Sequence, residues 1–412
     1  MALLISNIKS LVNVREKSEL LRGSSLAHLP CIRNAYLIID GERIAAYGSM
    51  EELKYSASDF QDHINAAGQY ILPSWCDSHT HLVFAGSREN EFVDKIKGLS
   101  YAEIAAKGGG ILHSAKKLNE TSEDDLFTQS YQRLQQVMKS GTGAIEIKSG
   151  YGLTIDGELK MLRVIRRLKE KTGIPIKATF LGAHAFPEHY KEDHEAYIKV
   201  ITDEMLPMIA AEKLADYIDV FCEKGFFTPE ETETICKAGA DYGLKPKLHV
   251  NQLNSIGGIE TGIKQNAVSL DHLEIMTDQD VALLSGSATI GTLLPTAAFF
   301  LRMNYQPART LIDNGAAIAL ASDYNPGSSP SGNMNLVVAL SCIQMRMLPE
   351  EAINSATING AYAMELQDDV GSITVGKRAN LIFTKPIPSL AFLPYSFGSN
   401  LIDKVMLNGE WI

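Results

Sequence analysis

Cysteine is scarce in this chain: five residues in 412, Cys31, Cys76, Cys222, Cys236 and Cys342, with no CxxC pair among them. That odd, scattered set excludes a disulfide framework and a thiolate zinc site, and it fits a reducing, cytoplasmic home. Positive charge is short as well. Against 49 Asp and Glu stand 38 Lys and Arg, a formal net charge of -11 with no basic block. Nothing here can neutralise a run of phosphates, so neither nucleic acid nor an anionic membrane is an expected partner. Long apolar runs are missing too: the start, MALLISNIKSLVNVREKSEL, soon alternates with charge, and no later stretch is long enough to span a bilayer. An anionic ligand must therefore meet positive charge that is placed locally.

What is present is enough apolar residue, 45% of the chain, to bury a full-sized core. Residues 1 to 68 read as short strands and turns, with Asp40-Gly41 as a hairpin signal; the same texture returns from 365 to 412, with Asn408-Gly409 as another turn. Neither stretch alone covers its apolar face, so the two termini are expected to combine into one small β-sandwich domain. Between them, over 69 to 364, short β-branched runs alternate with helix-period segments such as DGELKMLRVIRRLKEKTG. The runs fall at 71–77, 144–148, 176–182, 217–223, 246–250, 268–272, 289–295 and 317–322. Eight parallel strands with intervening helices predict an α/β fold of the TIM (β/α)8 barrel type, whose chemistry sits where the strands end.

The first strand ends in Asp77-Ser78-His79-Thr80-His81, and residues two apart on extended chain share a face. Alone, such an HxH is as readily a pair of surface or capping histidines. The other strand ends shift that balance: His184 follows the third strand, His249 lies on the fifth, His272 closes the sixth and Asp323 follows the eighth. Three imidazoles and a carboxylate suit a borderline-soft divalent ion, zinc or iron, and the expected ligands are His79, His81, His249 and Asp323, holding one ion per chain. His272 is better placed behind the metal or facing substrate. Lys148 has three readings: a carbamate bridging a second ion, which nothing in the sequence favours, a surface lysine, or a partner for the loop Ser149-Gly150-Tyr151-Gly152. The run Gly108-Gly109-Gly110 lacks a GKS or GKT ending and does not directly follow a strand, so it reads as a flexible segment near the mouth rather than a nucleotide loop.

An HTH tripeptide on the first strand with an aspartate at the eighth resembles the amidohydrolase superfamily. More narrowly, DSHTHLVFAGSRENEF, KGGGI, IEIKSGYGL, TFLGAHAFP, LHVNQL, SLDHLE and ASDYNPGSSP are similar to the imidazolonepropionase family. The resemblance spans nearly the whole chain. It implies a zinc or iron hydrolase, a homodimer, that opens 4-imidazolone-5-propanoate to N-formimidoyl-L-glutamate in histidine breakdown. It also implies substrate contacts from Arg88, Tyr151, His184 and Gln252 and from Asn325, Gly327 and Ser328.

Physical reasons bear on several of these. Arg88 offers a planar fork for a carboxylate, although an arginine taken alone is most simply a surface ion pair. Tyr151 is either a ligand contact or a loop anchor. Asn325-Pro326-Gly327-Ser328 is turn chemistry first, with backbone amides that can hold a polar ligand if exposed. Gln252 stands where family members can carry glutamate, and a glutamine cannot act as a general base. The expected mechanism therefore has Asp323 taking a proton from the attacking water and passing it to the leaving ring nitrogen, with His272 at the developing oxyanion. The competing readings are a related enzyme acting on another ring amide, a deaminase of a heterocycle, and a catalytically silent binding protein on the same scaffold.

Overall fold

The computed structural model describes residues 2–99, 103 and 109–412. The chain opens with β1 (Ala2–Val12), β2 (Cys31–Asp40), β3 (Arg43–Ser49), β4 (Asp62–Asn65) and β5 (Tyr70–Pro73). Eight strands separated by helices follow: β6 (Trp75–Asp77), β7 (Thr142–Lys148), β8 (Ile176–Ala183), β9 (Tyr217–Cys222), β10 (Lys245–Val250), β11 (Ser269–His272), β12 (Ile290–Leu293) and β13 (Ile318–Leu320). The chain ends in β14 (Leu381–Thr384), β15 (Ile402–Leu407) and β16 (Glu410–Trp411).

Strands β6 to β13 pair in chain order, each parallel to the next, which is the predicted barrel. Strands β7, β9 and β11 are buried at every position, as they must be when covered on both faces. Helix 155–172 shows how the outer layer forms. Thr154 caps its start by accepting the Gly157 amide at 3.1 Å, Leu159, Leu162, Ile165 and Leu168 make a buried stripe, and Gly173 at φ +68° ends it.

The barrel closes at the place where the candidate site lies. Just beyond β6 and β13, the Asp323 amide donates to His79 O at 3.0 Å and the His81 amide to Tyr324 O at 2.9 Å. The Asp77 carboxylate reinforces this seam by accepting the Ser322 amide at 2.9 Å and its hydroxyl at 2.6 Å. Closure itself thus sets the two histidines of the first strand against the aspartate of the last.

The terminal strands make a mixed sheet in the order β16-β15-β14-β5-β1-β2-β3, with β4 also on β1. The predicted run 71–77 is divided at Ser74: β5 pairs with β1 and β14 in the terminal sheet, while β6 pairs with β7 in the barrel. Extended backbone passes from one sheet into the other, so the apolar run shows no break. Both turn signals are turns, and they touch. Gly41 has φ +56° between paired Asp40 and Arg43, and Asn408 and Gly409 have φ +53° and +77° between paired Leu407 and Glu410. A Cβ on Gly409 would lie 2.1 Å from Gly41 O, so only glycine lets turns from opposite ends of the chain pack together. Among the described residues, no helix is long and apolar enough to cross a membrane.

Candidate metal centre

His79 and His81 leave the end of β6, His249 projects from β10, and Asp323 follows β13 with φ +51°. Their donor atoms converge. His81 Nε2 is 3.2 Å from His249 Nε2, and Asp323 Oδ1 is 3.6 Å from both His79 Nε2 and His81 Nε2. Four ligands at about 2.0–2.1 Å from a tetrahedral ion stand roughly 3.3 Å apart, so the spacing fits such an ion. The electronics fit as well. His79 Nδ1 lies 2.6 Å from Asp271 Oδ2 and His249 Nδ1 lies 2.9 Å from Asp219 Oδ2, so both rings donate from Nδ1 and turn a lone pair inward from Nε2. His79 Nε2 is buried with no hydrogen-bond partner among the described residues. Burial, then neighbouring imidazoles and the Lys148 ammonium, hold His79, His81 and His249 well below the ordinary imidazole value, the neutral state a cation needs. Burial pushes Asp323 up to about 6, against the pull of His272 and of hydrogen bonds from Asn325 and Ser328.

Behind the ligands lies a set of charges for which no motif prepared the reading. Lys148 is fully buried, with Nζ 2.7 Å from Glu146 Oε1, 2.9 Å from Asp219 Oδ2 and 3.6 Å from Asp271 Oδ2. Burial opposes its charge, but the carboxylates of Asp219, Glu146 and Asp271 together hold it above the usual lysine value. Three carboxylates stabilise an ammonium and would repel a carbamate, so neither the bridging role nor the partnership with the 149–152 loop describes this lysine. Lys247, equally buried, also pairs with Glu146, and Thr179 Oγ1 donates to Glu146 Oε1 at 2.6 Å. A sequence signal did exist: Glu146 and Lys148 alternate in AIEIK, and Asp219, Lys247 and Asp271 also interrupt strands, each at the parity that puts it inside the barrel.

His272 closes β11 in a left-handed conformation, φ +88°, with Nδ1 3.3 Å from Glu274 Oε1; that oxygen also accepts from Gln306 Nε2 at 2.9 Å. Burial opposes its charge, yet the Glu274 and Asp323 carboxylates hold it above the ordinary imidazole value. His184 stacks on His81, centroids 5.2 Å apart and planes 17° from parallel, and Tyr151 lies 5.4 Å from His184. Burial holds His184 down to about 4, so it is neutral; donating from Nδ1 to Gly150 O at 3.0 Å leaves Nε2 an acceptor.

Arg88 lies at the mouth and is mostly buried, with Nη2 2.5 Å from Glu91 Oε2. The other Glu91 oxygen accepts the Gly110 amide at 3.1 Å. Gly108, the first residue of that glycine run, lies outside the described residues. A Cβ on Gly327 would come 2.3 Å from Arg88 Nη1, so glycine there makes room for the guanidinium. The amides of the 325–328 turn do not stand open: Asn325 Oδ1 accepts those of Gly327 and Ser328, both at 2.8 Å, while Asn325 Nδ2 donates to Asp323 O at 2.6 Å. The turn closes on itself because an asparagine at its first position reaches its own downstream amides. What it offers the site is Ser328 Oγ, 3.2 Å from Asp323 Oδ2. Gln252 sits three residues past His249, on a turn that the Glu223 carboxylate fixes by accepting the Leu253 and Asn254 amides at 2.8 and 3.2 Å. Among the described residues no hydrogen bond joins Gln252 to the cluster.

The structure thus brings His79, His81, His249, Asp323, His272, His184 and Tyr151 to one place, links Arg88 to it through Gly327 and leaves Gln252 at the rim. The amidohydrolase family profile matches residues 70–412. Over 413 aligned residues the chain is 60% identical to the imidazolonepropionase of Flavobacterium johnsoniae, with 100% of each chain covered. It is 55% identical to that of Christiangramia forsetii, again with full coverage, and 38% identical to that of Alkaliphilus metalliredigens, with 99% and 97% covered. Among solved structures, guanine deaminase of E. coli superposes with a TM-score of 0.76 at 12% identity, covering 100% and 99% of the two chains. A triazine hydrolase from Arthrobacter aurescens gives 0.75 at 16%, covering 100% and 94%. At such identities these two likenesses speak for the fold alone.

Proposed function

Because the chain belongs to the amidohydrolase family and, within it, to the imidazolonepropionases, it hydrolyses the ring amide of 4-imidazolone-5-propanoate to N-formimidoyl-L-glutamate, and we propose that the residues gathered at the barrel rim carry that reaction. The observation that supports the site assignment is the convergence of three neutral imidazoles and one carboxylate at ligand spacing, one of the nitrogens being buried and unpartnered. His79, His81, His249 and Asp323 hold one divalent ion, zinc or iron, and the Lys148 ammonium argues against a second ion bridged there. Such an ion supplies an acidified water and Lewis-acid polarisation of the ring carbonyl.

The chain's own groups do the rest. Asp323 takes the proton of the attacking water as the new carbon–oxygen bond forms, and then delivers it to the ring nitrogen as the carbon–nitrogen bond breaks. Ser328 keeps the far oxygen of Asp323 oriented for that transfer. His272, whose charged form the Glu274 carboxylate favours, donates to the oxyanion that develops on the ring carbonyl. His184 accepts a ring N–H through Nε2, Tyr151 bounds the ring beside it, and Gln252 contributes a neutral hydrogen-bonding group at the rim. Arg88, braced between Glu91 and Gly327, pairs with the propionate, so the ring is held in one orientation before chemistry begins. By family resemblance the enzyme is a homodimer, and its five free cysteines suit the cytoplasm.

Purified protein of known metal content, mixed with fresh 4-imidazolone-5-propanoate, is expected to remove the ring's ultraviolet absorbance and give a product with the mass of N-formimidoyl-L-glutamate. Release of ammonia, or an intact ring in the presence of metal-loaded protein, would overturn the assignment.

A further inference from the structure

We propose that Lys148 is a positioning residue for the metal centre: one buried ammonium that, through Asp219 and Asp271, sets the orientation of both His249 and His79. The inference rests on the metal-centre reading above and deepens it. One carboxylate oxygen on each side serves cation and imidazole together. Asp219 Oδ2 is 2.9 Å from Lys148 Nζ and 2.9 Å from His249 Nδ1. Asp271 Oδ2 is 3.6 Å from Lys148 Nζ and 2.6 Å from His79 Nδ1. The remaining oxygens are pinned separately, Asp219 Oδ1 by the His249 amide at 3.1 Å and Asp271 Oδ1 by Ser269 Oγ at 2.6 Å. His81, the third imidazole, lacks this support, and its Nδ1 is buried without a partner among the described residues.

Lys247 gives the contrast that defines the role. It shares Glu146 with Lys148, but its other donor contacts go to Ser78 O at 3.1 Å and Ala363 O at 2.8 Å. It steadies backbone and pairs with neither Asp219 nor Asp271. Removing Lys148 leaves Glu146, Asp219 and Asp271, all buried, with Lys247 as their remaining counter-ion in this cluster. Like charges in a dry interior repel strongly, so Asp219 and Asp271 separate, turn or take up a proton, and in each case their hold on the imidazole N–H groups weakens. Loss of one carboxylate partner behind a metal-binding histidine changes metal affinity by about 10–100-fold, and Lys148 stands behind two.

The test compares wild type, Lys148→Met, Asp271→Asn and the double variant, each stripped by chelator. Zinc affinity is read by competition with a chromogenic chelator, and ligand geometry by the visible spectrum of the cobalt(II)-loaded protein. Lys148→Met is expected to bind zinc at least about tenfold more weakly than wild type and to shift the cobalt spectrum. Asp271→Asn lowers affinity by itself because it removes the carboxylate behind His79, but it also removes one of the charges that Lys148 balances, so Lys148→Met should cost less zinc affinity in the Asp271→Asn background than in wild type. Unchanged affinity and spectrum in Lys148→Met would overturn the proposal, and so would an equal Lys148→Met penalty in both backgrounds, which would mark the lysine as packing alone. Should Lys148→Met fail to fold by circular dichroism, the double variant against Asp271→Asn decides: weaker zinc binding without the lysine supports the role, and equal binding overturns it. A wild-type protein that takes up neither zinc nor cobalt would instead bring down the metal-centre reading itself.

Discussion

The terminal sheet and the barrel interior are buried to a similar degree and filled in opposite ways. Inside the sheet lie Ile5, Ile8, Leu37, Ile39, Ile71, Leu381, Phe383 and Met406, all apolar. Inside the barrel's rim lie Asp77, Glu146, Lys148, Asp219, Lys247 and Asp271, all equally buried. An apolar interior stabilises simply by leaving water, whereas buried charges cost free energy unless each is paired, and even paired ones rarely outdo a hydrophobic substitute. The charges are therefore poor candidates for holding the fold and good ones for holding a reaction. Stability and chemistry occupy different interiors of one chain.

If that division is right, variants should separate the two properties. Asp323→Asn should lower turnover by at least about a thousandfold, the upper range for losing an acid–base group, with far-ultraviolet circular dichroism and the urea midpoint unchanged. Phe383→Ala in the sheet should do the reverse, lowering the unfolding free energy by about 3–5 kcal/mol in urea titration while kcat/KM of the folded protein stays within about twofold. Arg88→Ala sits between these extremes. Losing a charged hydrogen-bond partner for the propionate should raise KM by about 10–100-fold and change kcat much less, as steady-state kinetics will show. Lys264→Ala, at an exposed i,i+4 pair with Glu260, should leave the urea midpoint and the activity unchanged. A variant that moved both properties strongly without touching both regions would blur the division.

The same contrast explains what the sequence disclosed. Eight β-branched runs with helix-period spacers are local patterns, so the barrel could be read, and the HxH with Asp323 could be placed because strand ends share one rim. The break at Ser74 could not be read, since it lies in continuous extended chain and is set by which sheet each half pairs with. Asp219 and Asp271 were passed over because a carboxylate inside a strand matches no motif; their meaning comes from strands that are distant in sequence. Gly327 looked like turn chemistry, and its second reason, room for the Arg88 guanidinium, exists only in three dimensions. The 325–328 segment reads as a turn whose amides hold a ligand only if exposed, and the Asn325 side chain, reaching the Gly327 and Ser328 amides, closes them.

The most direct test is a titration of zinc into chelator-stripped protein, with ring-opening rate and bound metal measured on the same samples. Turnover should be almost nil at the start, rise linearly, and break at one ion per chain. Full turnover without metal, or a break at two ions per chain, would contradict the one-ion centre.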